Sequence, residues 1–315
     1  MTALFDSKRP MDASRTLALY QQFYAENGPK VPAGQASDMR FVERLCDNLD
    51  GLQGLILDSY GVIGLGAAPI EGIVNLFDCA KQKDIPVIIL TNGASRPAIE
   101  RVQGYRNWGL PITADDIISS RDACHDIARH IKADRPQARF SYLCHNVTAF
   151  DDIEGVAYGD DPAWDEADYF IFLGATSWGE SDQMRLEAAL ARTGACVIIG
   201  NPDVSAPVDG GFTFEPGFWG MKAQAATGAP LIMAGKPYAS AFEIAFAALE
   251  KKAGCALDKA SVGMVGDSLH TDILGAKTFG LKAILLSHYG LLAGRDIHDE
   301  AKRAGIFPDL VARYL

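Results

Sequence analysis

Four short apolar runs, each stopped by a polar residue, restrict this chain to a layered α/β fold. Gly54-Leu55-Ile56-Leu57 stops at Asp58, and Val87-Ile88-Ile89-Leu90 stops at Thr91. Leu231-Ile232-Met233 leads to Lys236, and Val262-Gly263-Met264-Val265 leads to Asp267. Continuous apolar runs of this length read as strands buried on both faces, as in parallel sheets. Helix-patterned stretches at 69–83, 96–108, 239–252 and 271–279 separate them. Strand, helix, strand with short connections implies parallel neighbours joined by right-handed crossovers. Ligands bind such sheets beyond the carboxyl ends of the strands, so the residues that stop the runs are the candidate functional ones.

Several function classes are disfavoured by composition. Lys plus Arg is 29 against 40 Asp plus Glu, a net charge of −11. With no basic run to offset it, a nucleic-acid partner is not expected. No apolar run approaches the ~20 residues of a membrane span, and no long apolar segment opens the sequence. A cytoplasmic location without a membrane partner is the expectation. The Asn146-Val147-Thr148 sequon then carries no meaning. Cys46, Cys79, Cys124, Cys144, Cys196 and Cys255 are scattered without Cys-x-x-Cys spacing, so buried thiols are expected.

At 315 residues the chain is long enough for more than one unit. Residues 1–50 read as a helical extension, with helix-like spacing at 16–20 and 41–45. Residues 51–96 and 228–315 read as a Rossmann-like parallel-sheet core. Between them, 97–227 reads as an inserted α/β cap, in which 116–120 leads into an amphipathic helix to about 131, with strands at 140–144, 168–173 and 196–200 and a helix at 182–192. The Gly/Pro-rich stretch 207–220 reads as the return crossing.

The run-stopping residues form a chemical set. Asp58 is a potential nucleophile. Thr91-Asn92-Gly93 supplies a hydroxyl, an amide and free backbone N–H groups, which suit an anion near a helix N-terminus. Lys236 precedes Pro237, a residue that favours the first position of a helix. Asp267 and Asp272 make a hard-oxygen pair suited to Mg²⁺. Crowding Asp58, Asp267 and Asp272 would raise their pKa values, and a divalent cation relieves that crowding.

The order Asp, Thr, Lys, Asp…Asp at successive strand ends resembles the haloacid dehalogenase (HAD) superfamily. Asp58 matches the first motif, Thr91 the second, Lys236 the third, and Asp267 with Asp272 the fourth. The long insertion between the second and third motifs is similar to the cap of the class IIA branch, which includes sugar phosphatases and nitrophenyl-phosphatase-like enzymes. Asn201-Pro202-Asp203 and Pro216-Gly217 also match the cap. The resemblance spans roughly residues 50–290. It implies a phosphatase of small phosphorylated metabolites, in which Asp58 forms an aspartyl phosphate. It further implies Mg²⁺ held by Asp58, the Tyr60 carbonyl and Asp267, with Asp272 alongside, and substrate contacts from Asn92, Gly93, Asn201 and Asp203. A homodimer, through the cap or the N-terminal helices, stays open.

One position departs from the pattern. HAD phosphatases carry an Asp two residues after the nucleophile, and this chain has Tyr60. A phenol with an ordinary pKa near 10 has no ready base form at neutral pH. Asp203 and His270 are the substitute candidates for acid–base work. Asp-x-Tyr-Gly is also similar to the first motif of the 2-haloacid dehalogenases, which need no metal; the paired acids Asp267 and Asp272 oppose that alternative. A phosphate-ligand binding protein that has lost catalysis is a further alternative. A dinucleotide site at Gly64-Leu65-Gly66 is the weakest, because the next strand ends in Thr91 and not in an acid.

Overall fold

The structure, a computed structural model, describes residues 5–143, 147–208 and 211–315. Cys144 and the sequon residue Asn146 lie outside the described residues. Helix α1 (Ala13–Asn27) comes first, capped by Asp12, whose carboxylate accepts the Arg15 N–H at 2.8 Å. Strands β1 (Arg40–Arg44) and β2 (Gly54–Leu57) follow, then the hairpin β3 (Gly64–Leu65) and β4 (Ala68–Pro69). Alternation continues through α2 (Ile73–Gln82), β5 (Val87–Thr91), α3 (Ala98–Asn107), β6 (Ile117–Ser119) and α4 (Ser120–Asp134). Next come β7 (Phe140–Leu143), β8 (Gly155–Val156), β9 (Tyr169–Phe172), α5 (Glu180–Thr193) and β10 (Cys196–Ile199). The hairpin β11 (Pro207–Val208) and β12 (Gly211–Phe212) precedes α6 (Pro216–Thr227), β13 (Leu231–Met233) and α7 (Ala239–Ala253). The remainder is β14 (Val262–Gly266), α8 (Leu274–Phe279), β15 (Lys282–Leu286), α9 (Ile297–Ala304) and β16 (Leu310–Tyr314).

Two parallel sheets organise these elements. The larger has the order β1-β16-β15-β14-β2-β5-β6, and the smaller β13-β10-β9-β7-β8. All residues of β2, β5 and β14 are buried, as expected for strands covered on both faces. From β2 the chain runs outwards through β5 and β6. After the smaller sheet it returns at β14, beside β2, and runs the other way through β15 and β16. The topological switch point therefore lies between β2 and β14, where a crevice opens at the strand ends. Helix α1 buries Leu17, Leu19 and Phe23, side chains worth about 1.5–3 kcal/mol each when removed from water, so it is a docked part of the fold.

Several sequence expectations change. Residues 41–45 do not form a helix: β1 is an edge strand on β16, with Arg40 opposite Leu310, and its largely exposed side chains leave no two-residue alternation to read. The expected limits of the inserted unit are crossed at both ends. Strand β6 joins β5 in the larger sheet, while β13 joins β10 in the smaller. The Lys236–Pro237 peptide is cis and α7 begins only at Ala239, so Pro237 does not open that helix. Gly64-Leu65-Gly66 enters a hairpin, with Gly66 at φ +60° in the turn and β4 following. A dinucleotide loop needs a helix there, so that alternative loses its structural context.

Candidate active site

Asp58 stands one residue beyond β2, and its N–H donates to the Val265 carbonyl of β14 at 2.8 Å. Asp267 stands one residue beyond β14. The register that sets Leu57 opposite Val265 brings these two acids to adjacent strand ends at the switch point. Asp272 follows in a single π-type turn over Leu269–Ile273, and its carboxylate accepts the Ser268 N–H at 3.2 Å. Such turns are often found at functional sites. Carboxylate oxygens of Asp58, Asp267 and Asp272 all lie within 4.8 Å of one another. Gly61 (φ +83°) and Gly290 (φ +73°) leave space for Asp267, since a Cβ at either would collide with its carboxylate.

Lys236 enters from beyond β13, in the smaller sheet. The four strand ends therefore do not belong to one sheet, as the sequence had implied: the three acids come from the larger and the cation from the smaller. Lys236 is 1% exposed, and its Nζ donates to Asp58 Oδ1 at 2.5 Å and to Asp272 Oδ1 at 2.6 Å. One ammonium against three carboxylates leaves the cluster anionic. Burial pushes the Asp58 carboxyl up to about 7, against the pull of Lys236 and with a further push from Asp272. Burial, Asp272 and Asp58 also hold Asp267 well above the usual carboxylate range. For Lys236, burial opposes the charge, but Asp272, Asp58 and Asp203 together raise its pKa. Hard oxygens with excess negative charge fit a divalent cation. The neighbouring Ser268 Oγ is buried with no hydrogen-bond partner among the described residues, a polar atom available to a ligand.

Thr91 is buried at the end of β5, its Oγ1 accepting the Gly93 N–H at 3.2 Å. Helix α3 starts only at Ala98, so the 91–93 turn does not present a helix N-terminus directly. Asn92 is a clasp. Its Oδ1 accepts from the Lys236 N–H at 2.8 Å and from Ser120 Oγ at 2.6 Å. Its Nδ2 donates to Asp203 Oδ1 at 2.8 Å and to the Lys236 carbonyl at 3.1 Å. All four bonding positions of the amide are thereby used within the protein. Asn201 Oδ1 accepts the Asp203 N–H at 3.0 Å, and its Nδ2 donates to Glu215 at 3.1 Å, so it shapes the turn that carries Asp203.

Asp58, Tyr60, Asp203, Lys236, Asp267 and Ser268 line a crevice of about 60 Å³. Neither Asn92, Gly93 nor Asn201 is among its lining residues. Burial raises the Asp203 carboxyl, with Lys236 and Asn92 acting the other way. Tyr60 donates its hydroxyl to the Pro207 carbonyl. His270, the other candidate for acid–base work, stands apart from the crevice. It is buried, stacked on Tyr20 at 5.5 Å and Tyr24 at 6.4 Å, and burial pushes its pKa down to about 4. Neither ring nitrogen has a partner among the described residues, and the ring is not in the crevice lining. Tyr20, Ser205 and Thr271 also line the crevice. Thr271 was findable from its place between Asp267 and Asp272; nothing in the sequence linked Tyr20 or Ser205 to the site.

The sheet order and the buried cluster of Asp58, Asp267, Asp272 and Lys236 define an α/β fold with an acidic site at its switch point. The chain belongs to the haloacid dehalogenase-like hydrolases, on the class IIA branch. The family model for haloacid dehalogenase-like hydrolases matches residues 55–146, and a second HAD-hydrolase-like model matches residues 233–315. An acid sugar phosphatase of Staphylococcus haemolyticus is 27% identical over 234 residues, covering 74% of this chain and 84% of the relative. A crystal structure of a HAD-superfamily protein from Cytophaga hutchinsonii, named as a possible sugar phosphatase, superposes with a TM-score of 0.74 at 26% identity, covering 86% of this chain and 97% of that one. The p-nitrophenyl phosphatase of Archaeoglobus fulgidus shares the fold, with a TM-score of 0.66 at 23% identity over 84% of this chain and 96% of that one.

Proposed function

We propose that the protein is a Mg²⁺-dependent phosphatase of small phosphorylated metabolites, working through an aspartyl phosphate at Asp58. The observation that carries this reading is the buried cluster in which Asp58 meets one ammonium and two further carboxylates. The names of the sugar-phosphatase and nitrophenyl-phosphatase relatives support it. In this reading Asp58, Asp267 and the Tyr60 carbonyl would hold Mg²⁺, with Asp272 alongside, and the ion would offset the carboxylate charge and that of the phosphoryl oxygens. The five-stranded unit acts as the cap over the crevice.

This chain's own residues account for the remaining chemistry. A carboxylate oxygen of Asp58 attacks phosphorus, and the bond from phosphorus to the ester oxygen breaks. Asp203, whose carboxyl burial makes harder to ionise, donates its proton to the leaving alkoxide. Water then attacks the aspartyl phosphate, and the Asp203 carboxylate takes up its proton, so that inorganic phosphate leaves and both side chains are restored. Lys236 holds Asp58 in orientation through their ion pair and faces the incoming anion. The Thr91 hydroxyl keeps its own proton for a phosphoryl oxygen, because the Gly93 N–H is its donor.

The test is hydrolysis of nitrophenyl phosphate with Mg²⁺ by the parent protein and by Asp58→Asn, with and without EDTA. Phosphate release that needs both Asp58 and the metal supports the proposal. Chloride release from 2-chloropropionate without metal would replace it with the dehalogenase reading. Mg²⁺-dependent binding of phosphate esters without turnover would replace it with a binding protein.

A further inference from the structure

The crevice has a wall that the family motifs do not supply. Helix α1 lies upstream of both family-matched segments, yet Tyr20 from its middle lines the crevice beside Asp58, Asp203 and Lys236. The ring is fixed from two sides. On one side the Tyr20 hydroxyl accepts the Val204 N–H at 3.0 Å and donates weakly to Asp203 Oδ1 at 3.4 Å. One turn earlier, Thr16 Oγ1 and Ser205 Oγ share a hydrogen bond of 2.7 Å. On the other side, Tyr20 stacks on His270 at 5.5 Å with an interplanar angle of 11°, and on Tyr24 at 5.6 Å with an angle of 8°. The first set of contacts belongs to the loop after β10; of the second, His270 belongs to the turn after β14 and Tyr24 to α1 itself. Tyr20 is 2% exposed, so it is built into the molecule and not laid over it.

We propose that Tyr20 is a specificity-determining residue that limits how bulky a leaving group the crevice admits, so that slender short-chain and flat aromatic phosphate esters are accepted and hexose phosphates are excluded. This rests on the reading of the crevice as a phosphate site. The size argument is direct. A water needs roughly 10–15 Å³ of such volume, so a crevice of about 60 Å³ holds a phosphate group, and the ester group beyond it meets the residues of the lining. The unpartnered Ser268 hydroxyl gives that phosphate a donor. Tyr20, Ser205 and Pro207 belong to the same lining, and in this proposal they form the wall that the ester group meets. A wall held by both the β10 loop and the β14 turn does not swing aside when a larger group arrives. The sugar-phosphatase relatives match over 234 residues, 74% of this chain, and selectivity set by a residue outside the family motifs need not follow theirs.

Binding separates this inference from the catalytic reading. Ethyl phosphate and glucose 6-phosphate are titrated calorimetrically, with Mg²⁺, into full-length Asp58→Asn protein that carries Tyr20, Tyr20→Phe, Tyr20→Leu or Tyr20→Ala. With Tyr20, ethyl phosphate is expected to bind about tenfold or more tightly than glucose 6-phosphate, the range that steric exclusion commonly reaches. Tyr20→Phe keeps that ratio, because the ring and not the hydroxyl sets the space. Tyr20→Leu and Tyr20→Ala lower it by about fivefold or more; Leu covers the case in which Ala does not fold. Equal binding of the two esters, or a ratio unmoved by both smaller side chains, overturns the inference. The expected ratios without any phosphate release by protein retaining Asp58 would sink the phosphatase reading and leave the role of Tyr20 standing. Failure of both esters to bind overturns the two together.

Discussion

The hydroxyl of Tyr60 is bonded to the backbone carbonyl of Pro207, so the position two residues beyond Asp58 ties the β2 loop to the entry of the β11–β12 hairpin. The first prediction concerns that tether. Replacing Tyr60 by Phe removes one partly buried hydrogen bond, worth about 0.5–1.5 kcal/mol, and urea unfolding should register that loss. Tyr60→Asp loses the same bond and adds a carboxylate. If Asp203 serves as the acid, as proposed, Tyr60→Asp is expected to raise nitrophenyl phosphate turnover by less than about tenfold, short of the 10²–10⁴ that a new general acid contributes. A gain in the full range would mean that Asp203 does not have that role.

Asp203 is tested by leaving group and by pH. Asp203→Asn should reduce kcat/KM for an alkyl phosphate by about 10²–10⁴-fold, and much less for nitrophenyl phosphate, whose leaving group needs no proton. The acid must be protonated to act, and burial raises its pKa. The rate for the alkyl ester is therefore full at pH values below that raised pKa and falls as pH rises through it. Asp203→Asn should lack this limb in its pH–rate profile. An unchanged limb would assign it to another group.

Removing the cation should destabilise the fold and make it depend on metal. Lys236→Met leaves Asp58 and Asp272 buried without their ammonium, a loss of about 3–5 kcal/mol. Millimolar Mg²⁺ should restore part of that, since a ligand at a hundred times its Kd adds about 2.7 kcal/mol. Chemical denaturation of the variant with and without Mg²⁺ measures both. If Mg²⁺ leaves the variant's midpoint unmoved, the three carboxylates do not form a cation site.

His270→Phe is expected to be silent in catalysis. The imidazole stacks on two tyrosines and bonds to nothing among the described residues. A phenyl ring keeps the stacking and removes two buried nitrogens, each of which costs about 1–3 kcal/mol when unsatisfied. Turnover within about threefold of the parent, with equal or higher thermal stability, is the expected result; a loss on the general-acid scale of about 10²-fold or more would give the ring a chemical role.

What the sequence revealed and what it hid follow from one physical difference. Strands β2, β5 and β14 are buried on both faces, so they read as unbroken apolar runs, and the polar residues that stop them, Asp58, Thr91 and Asp267, were visible at once. Strand β1 lies at a sheet edge with mostly exposed side chains, and such a strand has no periodic signal. Lys236 was identifiable beside Pro237, but its arrival from the smaller sheet depends on β13 pairing with β10, a non-local choice. The same holds for Tyr20, which reaches Val204 and His270 only in three dimensions. Asn92 was singled out as a polar residue near phosphate, whereas its amide holds the Lys236 backbone and Asp203 together.

Strand β1 has a kinetic consequence. Among the described residues, 40–44 pair in the sheet with 310–314 alone. During synthesis, that edge cannot form until nearly all of the sequence has emerged from the ribosome. Closing so distant a pair late costs loop entropy that local contacts do not repay in advance, so residues 40–44 lock into the sheet long after they are made.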